Sequence, residues 1–358
     1  MSQTQRKKYR AIDLFAGIGG MRLGFEQSAF EIVYSNDIDR QACVTYRANF
    51  GEIDEKDVRS VDPSTLPEFD VLLAGFPCQP FSMIGKRDGL NDPRGQLFND
   101  VVRFLDVRRP RAFVLENVKN LLKHDKGETY KFIKAALENA ADGYTVTEQI
   151  LDSKNFGIPQ HRERTYIVGI RNPHKDFVFP LKSRSPGKQK IADILEKNVD
   201  EKYYLSQKYY DGLMAHKERH AAKGSGFGCE ILDLEGVSHT IVSGNMGRER
   251  NLIQDRPVSI KRHGVRKLTE RECARLQGFP DWFRFPVPTT QAYKQFGNAV
   301  SVPVARHVAN ALRKYLEEQD GLSRSTVTAP SSDFAVDSRA AYRSLKENAL
   351  GRIPAVIS

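Results

Sequence analysis

Cys78 lies in Ala74-Gly-Phe-Pro-Cys-Gln-Pro-Phe-Ser82, at the end of an apolar run that reads as a buried strand. A thiol in such a run is ordinarily a packing residue. Here Pro77 and Pro80 stop the strand and stiffen the chain around Cys78, which sets the thiol at a sheet edge. A thiolate in that position would be a nucleophile. Glu116 closes the strand-like Arg111-Ala-Phe-Val-Leu-Glu-Asn117 and reads equally as a helix cap, a surface acid or a site carboxylate. Arg162 and Arg164, in Gln160-His-Arg-Glu-Arg-Thr-Tyr166, alternate at the entry to another strand and share one face, where they could clamp an anion or a carbonyl. His161 and Glu163 fall on the opposite face and read as structural.

A second group of residues suits a ligand. Asp13-Leu-Phe-Ala-Gly-Ile-Gly-Gly20 follows the first strand and opens a helix, and Gly17, Gly19 and Gly20 would let a ligand approach the backbone. A tight turn with no ligand gives the same pattern. It is not the dinucleotide fingerprint Gly-x-Gly-x-x-Gly, because Arg22 stands in the region of the last glycine. Asp37, 20 residues after Gly17 at the end of the second strand, is placed to accept from ribose hydroxyls, and Asp57 could accept from an adenine amino group. A nucleoside-bearing cofactor without an essential pyrophosphate fits better than NAD.

The elements that must hold these residues alternate between strand and helix. Tyr9–Phe15, Glu31–Asp37, Phe69–Pro77, Arg111–Val118, Tyr144–Leu151 and Arg164–Ile170 are rich in β-branched and aromatic residues, and helical patterns such as Glu128–Ala141 lie between most of them. This order predicts an α/β domain with a doubly wound, mostly parallel sheet that binds ligands at the carboxyl ends of its strands. Between Arg171 and Val265 the pattern dissolves into Lys-, Pro-, Gly- and Ser-rich pieces. That stretch has 17 Lys and Arg against 12 Asp and Glu and reads as a basic, loop-rich module. Order returns at Arg266 and ends in a helical Val302–Glu318. Gln319–Asp337 is rich in Ser, Thr and Ala and reads as flexible, and Ser338–Gly351 has a helical pattern without an assigned role.

Bulk properties bound the rest. At 358 residues with 40% apolar content, the chain can fill one large core or two modest ones. The formal charge of +10 suits a polyanionic partner or plain solubility. Cys43, Cys78, Cys229 and Cys273 have neither Cys-x-x-Cys nor His spacing, so neither a disulfide framework nor a metal site is indicated. A polar, basic start and the lack of a ~20-residue apolar run predict a soluble cytoplasmic protein with no membrane partner.

Taken in order, these blocks resemble the bacterial, restriction-modification type of DNA (cytosine-5)-methyltransferase. Besides those quoted, they include Arg266-Lys-Leu-Thr-Glu-Arg-Glu-Cys-Ala-Arg-Leu-Gln-Gly-Phe-Pro280 and Gln291-Ala-Tyr-Lys-Gln-Phe-Gly-Asn-Ala-Val300. The resemblance covers nearly everything from Ile12 to Ala305 and implies a Rossmann-like class I fold with S-adenosyl-L-methionine as cofactor. It places Phe15, Gly17, Ile18, Gly19 and Gly20 at the cofactor, together with Asp37 and Ile38, Asp57 and Val58, Pro77, Leu97 and Asn298. Cys78, Glu116, Arg162 and Arg164 would be catalytic.

In the implied chemistry the Cys78 thiolate adds to C6 of cytosine, C5 then takes the methyl group, Glu116 holds or protonates N3, and the arginines favour O2 and steady the thiolate. The base must leave the duplex first. Phe81–Gly95 would be a closing loop, with Ser82 and Lys86 near DNA. Thr240 with Ile241 resembles the family's Thr-aliphatic pair, Arg248 and Arg250 would read guanine edges or phosphates, and Phe227 would fill the gap left by the cytosine.

The implied division is a catalytic and cofactor domain 1–171 completed by 288–320, a target recognition domain 172–287, and a partly flexible C-terminal extension 321–358. The implied partner is double-stranded DNA, which localises the enzyme to the nucleoid. The enzyme would act as a monomer, alongside any cognate restriction endonuclease acting separately. A tRNA-methylating relative is the nearest rival, but its Cys-Phe-Thr signature is absent. A DNA-binding protein with a decayed site is the rival from another class, against which the intact Cys78, Glu116 and glycine turn speak.

Overall fold

The computed structural model describes residues 8–77, 96–183, 189–225, 228–244, 249–256 and 262–321. The chain divides into two compact units, Met1–Arg313 and Lys314–Ser358. Of the second, only Lys314–Gly321 is described, so the remainder of the predicted 321–358 extension lies outside the described residues.

The first unit is organised by a seven-stranded sheet of β1 (Tyr9–Leu14), β2 (Phe30–Asp37), β3 (Asp54–Glu55), β4 (Val71–Ala74), β5 (Ala112–Val118), β6 (Thr145–Asp152) and β7 (Glu163–Ile170). Their spatial order is β3-β2-β1-β4-β5-β7-β6. β1 pairs in parallel with both β2 and β4, β4 with β5, and β2 with β3. β7 runs antiparallel between β5 and β6. The doubly wound, mostly parallel sheet expected from the sequence is therefore present, and the reversed β7 is its one departure. All four residues of β4 are buried, as a parallel strand covered on both faces requires.

Helices α1 (Gly20–Glu26), α2 (Arg40–Phe50), α3 (Gln96–Arg108) and α4 (Glu128–Asn139) cover the sheet. The main core joins strand residues Ile12, Leu72, Phe113 and Leu115 to Phe104 of α3 and Ile133 of α4. Burying each such side chain contributes about 1.5 to 3 kcal/mol. The chain winds outward from β1 to β3 in one direction and from β4 to β5 in the other, so β1 and β4 form the switch point where their carboxyl ends diverge.

After β7 follow α5 (Ile191–Ile194), β8 (Tyr204–Ser206), α6 (Gln207–Ala221), β9 (Leu252–Gln254) and β10 (Arg262–Lys267), and then α7 (Glu270–Leu276), α8 (Thr289–Asn298) and α9 (Val302–Gln319). The last three strands form a small antiparallel sheet in the order β8-β10-β9. The sequence reading expects loops here, yet α6 runs for 15 residues. Its apolar face is only Tyr210, Leu213 and Met214, which pack on Leu205, Cys229, Leu252 and Val265. That stripe is thin and lies among charged residues, which hid its period.

A second core joins Ile191, Leu232, Ile241 and Ile253 of this region to Leu276, Phe279 and Phe296, and also to Ile18 and Leu23 beside the glycine turn. Among the described residues, no helix is long and apolar enough to cross a membrane.

Candidate active site

The turn after β1 is set by backbone conformation. Phe15, Gly17 and Gly19 all have positive φ, at 55°, 55° and 84°. For Phe15 that left-handed geometry costs roughly 1 to 2 kcal/mol, a strain typical of ligand-binding turns. A Cβ on Gly17 would meet nothing within 4 Å, so the turn faces open space there. Asp37, at the end of β2, accepts from the Gly17 amide at 2.7 Å through Oδ2 and from the Asp39 amide at 2.7 Å through Oδ1. Burial raises its pKa while these amides oppose the rise.

Ile38 follows, 66% exposed, an apolar side chain next to the Asp37 carboxylate in sequence. The Asn36 amide donates to the Asp54 and Lys56 carbonyls, which holds the next segment alongside. Asp57 is there, but its carboxylate accepts from the Arg59 guanidinium, and this pairing keeps its pKa low. Ile18 and Val58 bury their side chains in the two cores and can offer a ligand only backbone. Leu97 packs at the edge of the main core.

The far end of the chain returns to this turn. A Cβ on Gly20 would lie 2.5 Å from the Val300 carbonyl oxygen, so residue 20 must be glycine for this approach. Asn298, exposed at the end of α8, lies two residues before this contact. Gly17 and Asp37, 20 residues apart in sequence, are joined at the switch point, and Val300 meets the same turn at Gly20.

The catalytic candidates lie one strand over. Ala74 of β4 pairs with Leu115 of β5, so Gly75, Phe76 and Pro77 continue beside Glu116. Asn117 donates its side-chain amide to the Phe76 carbonyl at 3.0 Å and fixes the chain two residues before Cys78. Cys78 itself lies outside the described residues, as do Ser82, Lys86, Phe227 and Arg248.

On β7, Arg164 pairs with Val118, diagonal to Glu116. Its Nε stands 3.3 Å from Glu116 Oε1. Burial raises the Glu116 pKa, with Arg164 and then Arg162 opposing. A carboxyl so shifted keeps its proton nearer neutral pH and can donate a hydrogen bond.

Arg162 is placed differently from Arg164, although the sequence groups them. It is buried, and its guanidinium donates to the carbonyls of Ile241, Gly297 and Ala299 at 3.0, 3.1 and 2.9 Å. Thr240, expected near DNA, donates its hydroxyl to the His161 carbonyl at 2.7 Å. Arg250 is half-buried after Glu249. His161 and Glu163 bind Asp152 and Lys119 respectively, consistent with structural roles.

Asp13 was given no role by its sequence context. It is 1% exposed, and among the described residues neither of its carboxylate oxygens has a hydrogen-bond partner within ordinary distance. Burial pushes its pKa up to about 8, against the opposing pull of Arg22. The available signal was an acid inside the apolar strand that leads into the glycine turn.

The comparisons with known proteins agree with this geometry. Residues 9–314 match the family model described as C-5 cytosine-specific DNA methylase. The chain is 47% identical over 335 residues to the type II methyltransferase M.HpaII of Haemophilus parainfluenzae, covering 88% of this chain and 92% of that one. It is 45% identical to M.NlaX of Neisseria lactamica, covering 86% and 97%. M.SsoII of Shigella sonnei is 44% identical, with 88% and 82% covered.

Among solved structures, the fold is similar to the Entamoeba histolytica methyltransferase EhMeth, with TM-score 0.68 and 23% identity over 89% of this chain and 100% of that one. It is also similar to Dnmt2 of S. pombe, with TM-score 0.69 and 22% identity over 87% and 100%. With the sheet order, the glycine turn and the Glu116–Arg164 pair on the same frame, the chain belongs to the C-5 cytosine-specific DNA methylases and is a site-specific DNA (cytosine-5)-methyltransferase.

Proposed function

We propose that Cys78 carries this transfer covalently, with Glu116 and Arg164 completing the pocket around a cytosine swung out of the duplex. The observation that carries the reading is the pairing of buried Glu116 on β5 with half-buried Arg164 on β7, beside the segment that Asn117 holds just before Cys78. The thiolate donates its electron pair to C6, and the ring electrons moved toward N3 meet the Glu116 carboxyl, which hydrogen-bonds to N3 or protonates it. Arg164 faces O2 and offsets negative charge there. C5, now enamine-like, would take the methyl group as the bond from that carbon to its sulfonium sulfur breaks, the electron pair staying on sulfur. Removal of the C5 proton then expels the Cys78 thiolate and restores the aromatic ring. Catalysis of this kind rests on charge stabilisation in a dry pocket, which the burial of Glu116 supports.

The residues present at the glycine turn fit S-adenosylmethionine: open space at Gly17, the Asp37 carboxylate, the exposed apolar face of Ile38, and the exposed Asn298 two residues before the Val300 that meets Gly20. When bound, S-adenosylmethionine supplies the methyl group on an activated sulfonium. Asp37 would accept from ribose hydroxyls and Ile38 would cover one adenine face. Asp57 would share its carboxylate between Arg59 and the adenine amino group.

We assign 1–171 with 288–320 to catalysis and cofactor binding, and 172–287 to target recognition, where Thr240, Arg248, Arg250 and Phe227 act toward DNA. The enzyme acts as a cytoplasmic monomer on double-stranded DNA at the nucleoid, with any cognate restriction endonuclease acting separately. The test is transfer of labelled methyl groups from S-adenosylmethionine to duplex DNA and to tRNA, with the methylated cytosines then mapped. Incorporation confined to one duplex sequence supports the assignment. Incorporation into tRNA alone contradicts it.

A further inference from the structure

The segment Ser238–Gly244 belongs to the region assigned to target recognition, yet several of its bonds go to the connection between β6 and β7. The Ser238 amide donates to the Pro159 carbonyl and the His161 amide donates to the Ser238 carbonyl, so the two stretches run as a short parallel bridge. Gln160 is fully buried. Its Oε1 accepts from the Ile241 amide at 3.0 Å and its Nε2 donates to the Leu276 carbonyl at 2.7 Å. Two residues on, the Arg162 fork joins Ile241 O to Gly297 O and Ala299 O. Gly297 in turn admits the segment closely: a Cβ there would lie 2.4 Å from Ser243 N and from Val242 C.

Arg162 thus has recognition backbone on one side and the end of α8 on the other. β7, which begins at the next residue, carries Arg164 and, through it, Glu116. All three bonds go to backbone carbonyls, so the register of the chain, not the identity of a neighbouring side chain, is what they fix. An ammonium has no planar fork and is a compact point charge, so lysine cannot reproduce the three-way geometry.

We propose that Arg162, aided by Gln160, is a positioning residue for sequence discrimination, holding the recognition segment that begins at Ser238 in register with the Glu116–Arg164 pocket. The inference rests on the assignment of 172–287 to target recognition. A segment free to shift by an ångström would seat near-cognate sequences almost as well as the cognate one, while the chemistry at the base would be unchanged.

The experiment uses the full chain as wild type, Arg162→Lys and Gln160→Ala, on duplexes carrying the mapped site and each single base-pair change within it. For Arg162→Lys, the ratio of cognate to near-cognate kcat/KM is expected to fall at least tenfold at every position, with KM for cognate DNA raised and the pH profile of kcat in place. Gln160→Ala is expected to change the ratio in the same direction, and it alone decides the matter if Arg162→Lys fails to fold. An undiminished ratio with a lowered kcat and a shifted pH profile would overturn the proposal and place Arg162 at the base.

A chimera carrying residues 172–287 from M.SsoII separates the two readings. Site preference that does not follow the exchanged segment removes the recognition assignment. Preference that does follow it, with discrimination intact in both variants, removes the role of Arg162 alone.

Discussion

Asn117 and Phe76 are joined by a 3.0 Å hydrogen bond from the side-chain amide of one to the carbonyl of the other, which ties the end of β5 to the chain leaving β4. The same Asn117 accepts from the Val118 amide through Oδ1 at 2.8 Å. Both bonds are made where the side chain is buried, so neither can be replaced freely by water.

Replacing Asn117 with alanine leaves the Phe76 carbonyl and the Val118 amide without these partners. Loss of about 1 to 3 kcal/mol of stability is expected, measured by denaturant unfolding. Because Cys78 follows two residues after Phe76, kcat should drop by more than tenfold even in the folded fraction, since small misplacements of reacting groups are costly. An unchanged kcat in folded Asn117→Ala would detach this bond from catalysis.

Burial raises the Glu116 pKa above the ordinary carboxylate value, against the opposing pull of Arg164 and Arg162. If its acid form serves N3, activity is present below its raised pKa and is lost as pH rises through it. Wild type should therefore show an alkaline limb in kcat. Glu116→Gln, which cannot ionise, should lack that limb and lose about 10² to 10⁴ in rate. Persistence of the limb in the variant would assign it to another group.

Much of this was readable in the sequence because the blocks are local and the sheet is regular. The continuous apolar run at Val71–Ala74 and the strand of Ala112–Val118 announce buried parallel strands. Glycines at positive φ announce the turn after β1. What sequence could not supply were partners distant in the chain. Alternation put Arg162 and Arg164 on one face, but burial against Ile241 and Gly297, 79 and 135 residues away, separates their uses. Asp13 was likewise silent, since only the folded packing buries its carboxylate. Helix α6 escaped because its apolar stripe is thin.

Asp13 should make the protein less stable as pH rises. Its folded-state pKa, pushed up to about 8, lies well above that of an unfolded aspartate, so its contribution is present in full below about pH 4 and is lost as pH climbs to about 8. Asp13→Asn removes that titration. Melting temperatures of wild type and variant, taken from pH 5 to 9, should diverge with rising pH in the variant's favour. Parallel curves would show that Asp13 is already ionised in the fold.

Gly20→Ala tests the meeting of the glycine turn with the Asn298 segment. The added Cβ would lie 2.5 Å from the Val300 carbonyl, so backbone must move. Overpacking of this kind costs about 1 to 3 kcal/mol. Calorimetric titration with S-adenosylmethionine should show Kd raised about tenfold or more, equivalent to ~1.4 kcal/mol. Unaltered affinity would mean that the junction does not shape the cofactor site.

The covalent role of Cys78 is the central claim, and a duplex with 5-fluorocytosine at the target tests it most directly. Fluorine cannot leave C5 as a proton does, so addition at C6 followed by methylation should trap the enzyme on DNA. Wild type with S-adenosylmethionine is expected to form a denaturation-resistant adduct whose tryptic peptide carries the modified base on Cys78. Cys78→Ser, far poorer in the anionic nucleophile near neutral pH, should form none and transfer no methyl group while still binding duplex DNA. Full methyl transfer by the serine variant, or a wild-type adduct located on any other residue, would contradict the account.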